Sequence, residues 1–347
     1  MKDSLSRYLV LLVIALLASG LLLPRLYDMP YPYPLSAPSK FKPSVKKNFL
    51  EALTEKQPEF VLLGDSVMHD GVDQAALSQM LGAEAYNIGI PGSGSAVWYL
   101  IFKNIVINAP VPPRSVVVLF RDTILTIPSF RTTGHYFEGL DDYARAKEPL
   151  LVELAFVDPM SPAEKLAQQY LPLYSARWRL REAIDSALRY TAAATLGCST
   201  RCVDDAMDSA FGKQALDAIA MQQSIYDGGT LYAPENMNFE KRVDNSFLPA
   251  MIHIAQSNNI ELIFIRMKNM AYPQIEMEMP ELRAYHRALE SYLSTQDGVH
   301  YINLAHDERI LDSYFIDQVH LSETGRVMFT QILANELKPF AAQEKKH

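Results

Sequence analysis

The sequence predicts an α/β fold built on a doubly wound parallel sheet, and three observations lead to this prediction. Five short apolar segments have the length and composition of strands, and helix-like segments alternate with them along the chain. The segment Ser115–Phe120, SVVVLF, is apolar without alternation, which is typical of a central strand covered on both faces. The chain of 347 residues is long enough to bury such a core.

The elements follow one another in an order that suits this fold. The predicted strands cover residues 60–63, 85–88, 115–120, 260–266 and 299–304. The helices predicted between and after them cover residues 73–81, 96–108, 281–294 and 325–337. Because each strand is followed by a helix or a long crossover, successive strands are expected to lie parallel.

One long region interrupts the alternation. Residues 131–249 contain helix-like segments at 162–170, 174–194, 204–223 and 246–258, an irregular loop at 226–243, and no convincing strand. This length exceeds what a simple crossover needs. The sequence therefore predicts a helical insertion within the α/β domain.

The N-terminus predicts a membrane anchor. Residues 8–23 are an apolar run, and Lys2 and Arg7 precede it. We expect a transmembrane helix within residues 1–27, with a cleavable signal peptide as the alternative. A Pro- and Tyr-rich linker at residues 28–44 would connect it to a domain at residues 45–347. Since positive charge precedes the apolar run, this domain is expected outside the cytoplasm, in the periplasm of a bacterial-type cell.

Net charge and cysteine content limit the functions that the chain can have. The net charge of −8, without a substantial basic cluster, argues against nucleic-acid binding. The two cysteines, Cys198 and Cys202, predict a local disulfide in an exported chain, and two unpaired buried thiols are the alternative. No His or further Cys stands at ligand spacing from them, so we expect no metal site and no cofactor.

The residues that can carry chemistry lie at the ends of predicted strands. Ser66 follows the first strand in Gly64-Asp65-Ser66, where open α/β sheets place their ligands, although such a string also forms ordinary turns and helix caps. Far downstream, Asp317 and His320 stand three residues apart, so the carboxylate can orient the imidazole. An oriented imidazole can take the proton of a serine hydroxyl.

This pattern resembles the SGNH/GDSL hydrolase superfamily. The resemblance rests on Gly64-Asp65-Ser66, on Asn87-Ile88-Gly89 and on the Asp317–His320 pair, and it covers roughly residues 59–123 and 260–337. It implies a flavodoxin-like sheet of about five strands, with Ser66 as nucleophile, His320 as base and Asp317 as its orienting carboxylate. The backbone N–H groups of Ser66 and Gly89 would form the oxyanion hole.

The third sequence block departs from the family. The Asn that the family carries after the third strand is absent, and Arg121 lies at or beside its place, followed by Asp122. Arg121 could stabilise an oxyanion, bind an acidic substrate group, or pair with Asp122 to shape the loop. Asp65, Asn87 and Asp122 are further candidates for substrate binding.

The resemblance also implies a function. Similar membrane-anchored proteins act with a membrane-bound O-acyltransferase, so we expect acetyl transfer from Ser66 to a cell-surface or secreted polysaccharide at the bacterial inner membrane. The predicted partners are the bilayer, such an acyltransferase and a glycan acceptor. A carbohydrate or lipid esterase is one alternative, and a non-catalytic scaffold of a membrane acyltransferase complex is another.

Overall fold

The fold is described by a computed structural model. It describes residues 2–29, 31–33, 41, 47–132, 136–156, 162–177 and 229–341, with a few isolated positions between 180 and 197. These residues form two compact units. The first comprises Met1–Ser39 and Phe156–Ala218, and the second comprises Lys40–Ala155 and Ile219–His347. The predicted boundaries of anchor, linker and α/β domain stay a prediction.

The second unit contains a five-stranded, entirely parallel sheet, which confirms the predicted fold class. The strands are β1 (Phe60–Gly64), β2 (Ala85–Gly89), β3 (Ser115–Phe120), β4 (Glu261–Arg266) and β5 (Val299–Asn303). Their spatial order is β2-β1-β3-β4-β5. The chain reverses its direction of winding between β1 and β3, and ligands of open α/β sheets bind at the carboxyl ends of such strands.

Helices lie before, between and after the strands along the chain. In chain order they are α1 (Lys2–Leu26), α2 (Lys47–Lys56), α3 (Ser66–Gly71), α4 (Gln74–Leu81), α5 (Ser95–Asn104), α6 (Tyr136–Tyr143), α7 (Pro149–Ala155), α8 (Pro162–Tyr170), α9 (Pro172–Ser175), α10 (Phe239–Arg242), α11 (Leu248–Ser257), α12 (Pro280–Leu293) and α13 (Glu323–Leu337). The predicted helix over 96–108 ends at Asn104, and a 3₁₀ turn follows at Val106–Asn108.

The core explains why the strands are apolar without alternation. Every residue of β1 and β3 is buried, so both faces of the central strands are covered. Alternate residues on one face, including Leu62 of β1 and Val117 of β3, belong to a cluster with Leu77 of α4 and Phe329 of α13. Burying a side chain of this size stabilises the fold by about 1.5–3 kcal/mol.

The region between β3 and β4 is helical where the structure describes it. Residues 136–156, 162–177 and 229–249 include α6 to α10 and no strand. The irregular loop predicted over 226–243 is wrong in part, because α10 forms there. Asn238 accepts a hydrogen bond from the Lys241 N–H, which caps this short helix. Cys198 and Cys202, with their predicted disulfide, lie outside the described residues.

The first unit contains the N-terminal helix. The helix α1 packs near α9, and the Tyr33 N–H donates a hydrogen bond to Gln169 O at 3.0 Å. In the described part of the chain, no helix has both the length and the apolar character to cross a membrane. The predicted membrane anchor is therefore not confirmed.

A close contact at the start of α13 gives a test of this packing. An added Cβ on Gly325 would overlap Tyr314 O and lie 2.8 Å from Tyr314 Cβ. We expect Gly325→Ala to lower the free energy of unfolding by about 1–3 kcal/mol, because backbone atoms must move to admit the methyl group. Urea unfolding followed by circular dichroism measures this change.

The matched control is Gly139→Ala, also within a helix. No atom lies within 4 Å of the added Cβ there, so this substitution should leave stability unchanged or raise it by up to about 1 kcal/mol. Equal stability of Gly325→Ala and the wild type would contradict the contact at Tyr314.

Candidate active site

Ser66 lies at the junction of β1 and α3. The Asp65 side chain caps α3 by accepting a hydrogen bond from the Val67 N–H at 2.9 Å, which makes Ser66 the first helical residue. An added Cβ on Gly64 would lie 2.5 Å from Met68 Cβ, so only glycine permits this abrupt transition from strand to helix. The Ser66 side chain is thereby held at the carboxyl edge of the sheet.

Asp317 and His320 form a rigid loop before α13. One Asp317 oxygen, Oδ1, accepts hydrogen bonds from the N–H groups of Val319 at 2.8 Å and His320 at 2.7 Å. The other oxygen, Oδ2, lies 2.7 Å from His320 Nδ1. Ser322 then caps α13 through the Gly325 N–H. The carboxylate therefore fixes both the backbone of the loop and the orientation of the imidazole.

These two segments meet in space. Ser66 Oγ lies 2.7 Å from His320 Nε2, although the two residues are 254 positions apart in sequence. With Nδ1–H donating to Asp317, Nε2 is available to accept the serine proton. The structure thus brings together the three residues that the sequence predicts as a triad.

The electrostatics of the site suit proton transfer. The hydrogen bond that His320 Nδ1–H donates to Asp317 raises the pKa of His320, with burial acting in the opposite direction and the charges of Asp317, Asp65 and Asp70 adding to the rise. Burial by itself would raise the pKa of Asp317, but the hydrogen bonds from the His320 side chain and from the loop backbone lower it overall. Asp317 is therefore ionised at neutral pH, and it stabilises the imidazolium that proton transfer creates.

The structure does not support the oxyanion role predicted for Gly89. Its N–H donates a hydrogen bond to Asn87 Oδ1 at 2.9 Å, so it is already used within its own strand. An added Cβ on Gly89 would lie 2.5 Å from His69 N, and Asn87 Nδ2 donates to Met68 O at 3.0 Å. Gly89 and Asn87 therefore join β2 to α3, which accounts for both residues without a ligand.

Arg121 lies between two carboxylates. Its Nε is 3.7 Å from Asp65 Oδ2, and its Nη1 is 3.5 Å from Asp122 Oδ2. Asp122 adopts a left-handed backbone conformation with φ of 50° and accepts a hydrogen bond from Asn269 Nδ2 at 2.9 Å. Asp65 and Asp122 are only 5% and 2% exposed, so protein groups already surround the two predicted substrate-binding carboxylates.

Sequence reasoning missed the residues that the end of β4 contributes. Asn269 follows β4 by three positions, and its amide also donates to the Tyr232 hydroxyl at 2.9 Å. The next residue, Met270, donates its N–H to Gln318 O at 2.8 Å, which ties this segment to the Asp317–His320 loop. The only available sequence signal was the position of Asn269 just after a predicted strand.

A buried charged network fixes the same segment to the sheet. Arg266, the last residue of β4, forms an ion pair with Glu278, and Glu278 Oε2 lies 3.0 Å from His306 Nε2. Burial by itself would raise the pKa of Glu278, but hydrogen bonds from His306 and Arg266 lower it overall.

Among the described residues, no group of three or more His, Cys, Asp or Glu side chains is arranged to hold a metal ion.

Comparison with known proteins finds similar solved structures but no sequence relative. No family model matches the chain, and no curated protein matches it. The fold is similar to a candidate acylhydrolase from Bacteroides fragilis NCTC 9343, with a TM-score of 0.42 and 12% identity over 86% of this chain and 98% of that one.

Two further similar structures are those of a lipase and an esterase. One is a GDSL-like lipase from Bacteroides thetaiotaomicron VPI-5482, with a TM-score of 0.38 and 13% identity over 84% of this chain and 95% of that one. The other is a mutant of an acetyl-xylooligosaccharide esterase from Geobacillus Stearmophilus, with a TM-score of 0.38 and 10% identity over 84% and 97%. Because these likenesses are remote, the functional argument rests on the geometry of the site.

The hydrogen bond between Asp317 and His320 predicts a pH effect. A base must be neutral, so kcat/KM should rise as pH increases through the pKa of His320, which lies above its ordinary value. Asp317→Asn removes the main cause of the raised His320 pKa. The pH at which kcat/KM reaches half of its maximum, here called the midpoint, should therefore move to a lower value. We also expect kcat to fall by about 10³–10⁴-fold, because the imidazole loses its orientation. Ester hydrolysis measured from pH 5 to 9 tests both effects.

Asp297→Asn is the control, because this aspartate is exposed and lies outside the triad. It should leave both kcat and the midpoint unchanged. A midpoint that stays fixed in Asp317→Asn would contradict the assignment of His320 as the titrating base.

Proposed function

We propose that this protein is a serine-dependent acyl-transferring enzyme of the SGNH type, acting through an acyl-Ser66 intermediate. The observation that carries the proposal is the hydrogen-bonded series Ser66–His320–Asp317, with 2.7 Å at each link between side chains. It has the atoms, order and distances that nucleophilic catalysis by serine requires.

The first half-reaction forms the intermediate. Ser66 Oγ attacks the carbonyl carbon of an ester while its proton passes to His320 Nε2. Asp317 stabilises the resulting imidazolium through Nδ1–H. The bond to the leaving alcohol then breaks, and the departing oxygen takes the proton from Nε2. The carbonyl carbon remains bonded to Ser66 Oγ as an acyl ester.

The second half-reaction releases the acyl group. An acceptor hydroxyl gives its proton to His320 Nε2 and attacks the acyl carbon, and Ser66 Oγ leaves and recovers the proton. The developing oxyanion needs hydrogen-bond donors, each worth about 2.7–4 kcal/mol. The Ser66 N–H stands at the first position of α3, where a helix offers its N–H groups no intrahelical acceptor, and it is our first candidate donor.

We further propose that the acceptor is a hydroxyl of a cell-surface or secreted polysaccharide and that the acyl group is acetyl. The support comes from the sequence resemblance and from Lys2 and Arg7 before an apolar segment, a pattern typical of exported chains. A bacterial inner-membrane location with a periplasmic catalytic domain, and a membrane-bound O-acyltransferase partner, belong to the same proposal.

Hydrolysis is the second candidate, and one observation favours it. The His320 and Asp317 side chains are 31% and 32% exposed, so water can reach the acyl-Ser66 ester. An esterase and a transferase would share the first half-reaction and differ only in the acceptor. A purely scaffolding role is less well supported, since it would not require the hydrogen-bonded series to be intact.

The test uses the full chain and p-nitrophenyl acetate. Intact mass should show an added acetyl group on the wild type and on Ser313→Ala, an exposed serine control, but not on Ser66→Ala. Release of p-nitrophenol should fall by about 10⁵–10⁶-fold in Ser66→Ala. Wild-type rates in Ser66→Ala would contradict the proposal.

The acceptor is tested on the preformed acetyl-enzyme. Decay of the acetyl adduct that accelerates with added oligosaccharide, and that gives an acetylated sugar by mass, supports transfer. Decay at the same rate with and without oligosaccharide, giving acetate alone, would favour the esterase.

A further inference from the structure

Arg121 links the element that carries the nucleophile to the neighbouring strand. Its guanidinium lies between Asp65, which precedes Ser66 and caps α3, and Asp122, which follows β3. All three side chains are nearly buried. Two buried carboxylates without a cation between them would repel each other and lose their hydration, and the guanidinium between them offsets that cost.

The linkage continues to the loop that carries the base. Asp122 accepts a hydrogen bond from Asn269, and the Met270 N–H donates to Gln318 O within the Asp317–His320 loop. Polar contacts therefore run across the carboxyl ends of β1, β3 and β4, with Ser66 beside one end and His320 beside the other. Asn269 Oδ1 also accepts from the Ala271 N–H at 2.9 Å, which fixes the amide.

We propose that Arg121 is a positioning residue: by bridging Asp65 and Asp122, it holds Ser66 at the distance from His320 that proton transfer needs. This inference rests on the proposed function and deepens it. It differs from the oxyanion role expected from sequence, because two carboxylates already compensate the charge of the guanidinium. A misplacement of the nucleophile by about 1 Å is sufficient to cost on the order of 100-fold in rate.

The pairing of Arg121 with Asp65 also affects the electrostatic environment of His320. The charged groups that face His320 are Asp317 on its own loop and Asp65 and Asp70 from the β1–α3 segment, and each raises the pKa of His320. Asp70 is exposed and also contacts His69, whereas Asp65 is buried and contacts Arg121. Removing the guanidinium should therefore expose His320 to the full charge of Asp65 and raise the pKa of His320 further.

The experiment compares Arg121→Gln, Arg121→Lys, Asp65→Asn and the double variant Arg121→Gln/Asp65→Asn on p-nitrophenyl acetate, a neutral substrate. For Arg121→Gln we expect kcat to fall on the order of 100-fold with KM changed by less than about threefold. The pH at which kcat/KM of this variant is half-maximal, the midpoint, should move to a higher value. Asp65→Asn should move the midpoint to lower pH while keeping an oxygen for the α3 cap.

Two variants separate charge from geometry. Arg121→Lys keeps the charge, so the midpoint should stay near that of the wild type, but kcat should recover only in part because an ammonium group cannot form the same fork. In the double variant, the further loss of kcat caused by Arg121→Gln should be smaller than in the wild type, because the carboxylate that it positions is already neutral.

Arg114→Gln is the matched control, since Arg114 is exposed at the opposite end of β3 and should leave kcat, KM and the midpoint unchanged. Thermal unfolding checks that each variant is folded. If Arg121→Gln unfolds, the double variant, which also removes the uncompensated Asp65 charge, provides the kinetic comparison.

Two results would overturn the inference. A folded Arg121→Gln with wild-type kcat and midpoint would show a structural role only. A rise in KM confined to esters that carry an acidic group would show substrate binding instead. Both results leave Ser66-dependent acetylation intact, whereas wild-type activity in Ser66→Ala would remove the proposed function itself.

Discussion

The hydrogen bond between Ser66 Oγ and His320 Nε2 is the contact on which the site depends. It joins the end of the first strand to the loop before the last helix, 254 positions away. Its length can be maintained only if both segments are held in place. The cap that Asp65 provides fixes one segment, and the Asp317 carboxylate, through the backbone of its own loop, fixes the other.

The parallel sheet makes this meeting possible. In a parallel sheet all carboxyl ends lie at the same edge, so polar residues that follow different strands come together there. Arg121 and Asp122 follow β3, and Asn269 follows β4. Buried charges at this edge are costly unless each has a partner, and here each carboxylate has a cation or an amide beside it. The stability cost of the site is thus limited by internal pairing.

The local sequence pattern was sufficient to predict the strands of the sheet. It was not sufficient to predict the hydrogen bond of the Gly89 N–H or the short helix α10. Buried strands have an apolar signature that neighbouring elements do not obscure, and all five were located to within about one residue. The N–H of Gly89 was expected to face a ligand, but the Asn87 side chain two residues earlier accepts it. The helix α10 was missed because it is only four residues long and its signal is a single capping Asn238.

The sequence by itself predicted the strands and their alternation with helices from local periodicity. It pointed to Ser66, Asp317 and His320 through the resemblance of its short motifs to those of the SGNH/GDSL superfamily. The tertiary structure alone decided which polar groups surround them. The ion pairs of Arg121 and the contribution of Asn269 depend on the lateral order of the strands, and on which carboxyl ends become neighbours. No local pattern encodes that order, since it is set by how the whole chain packs.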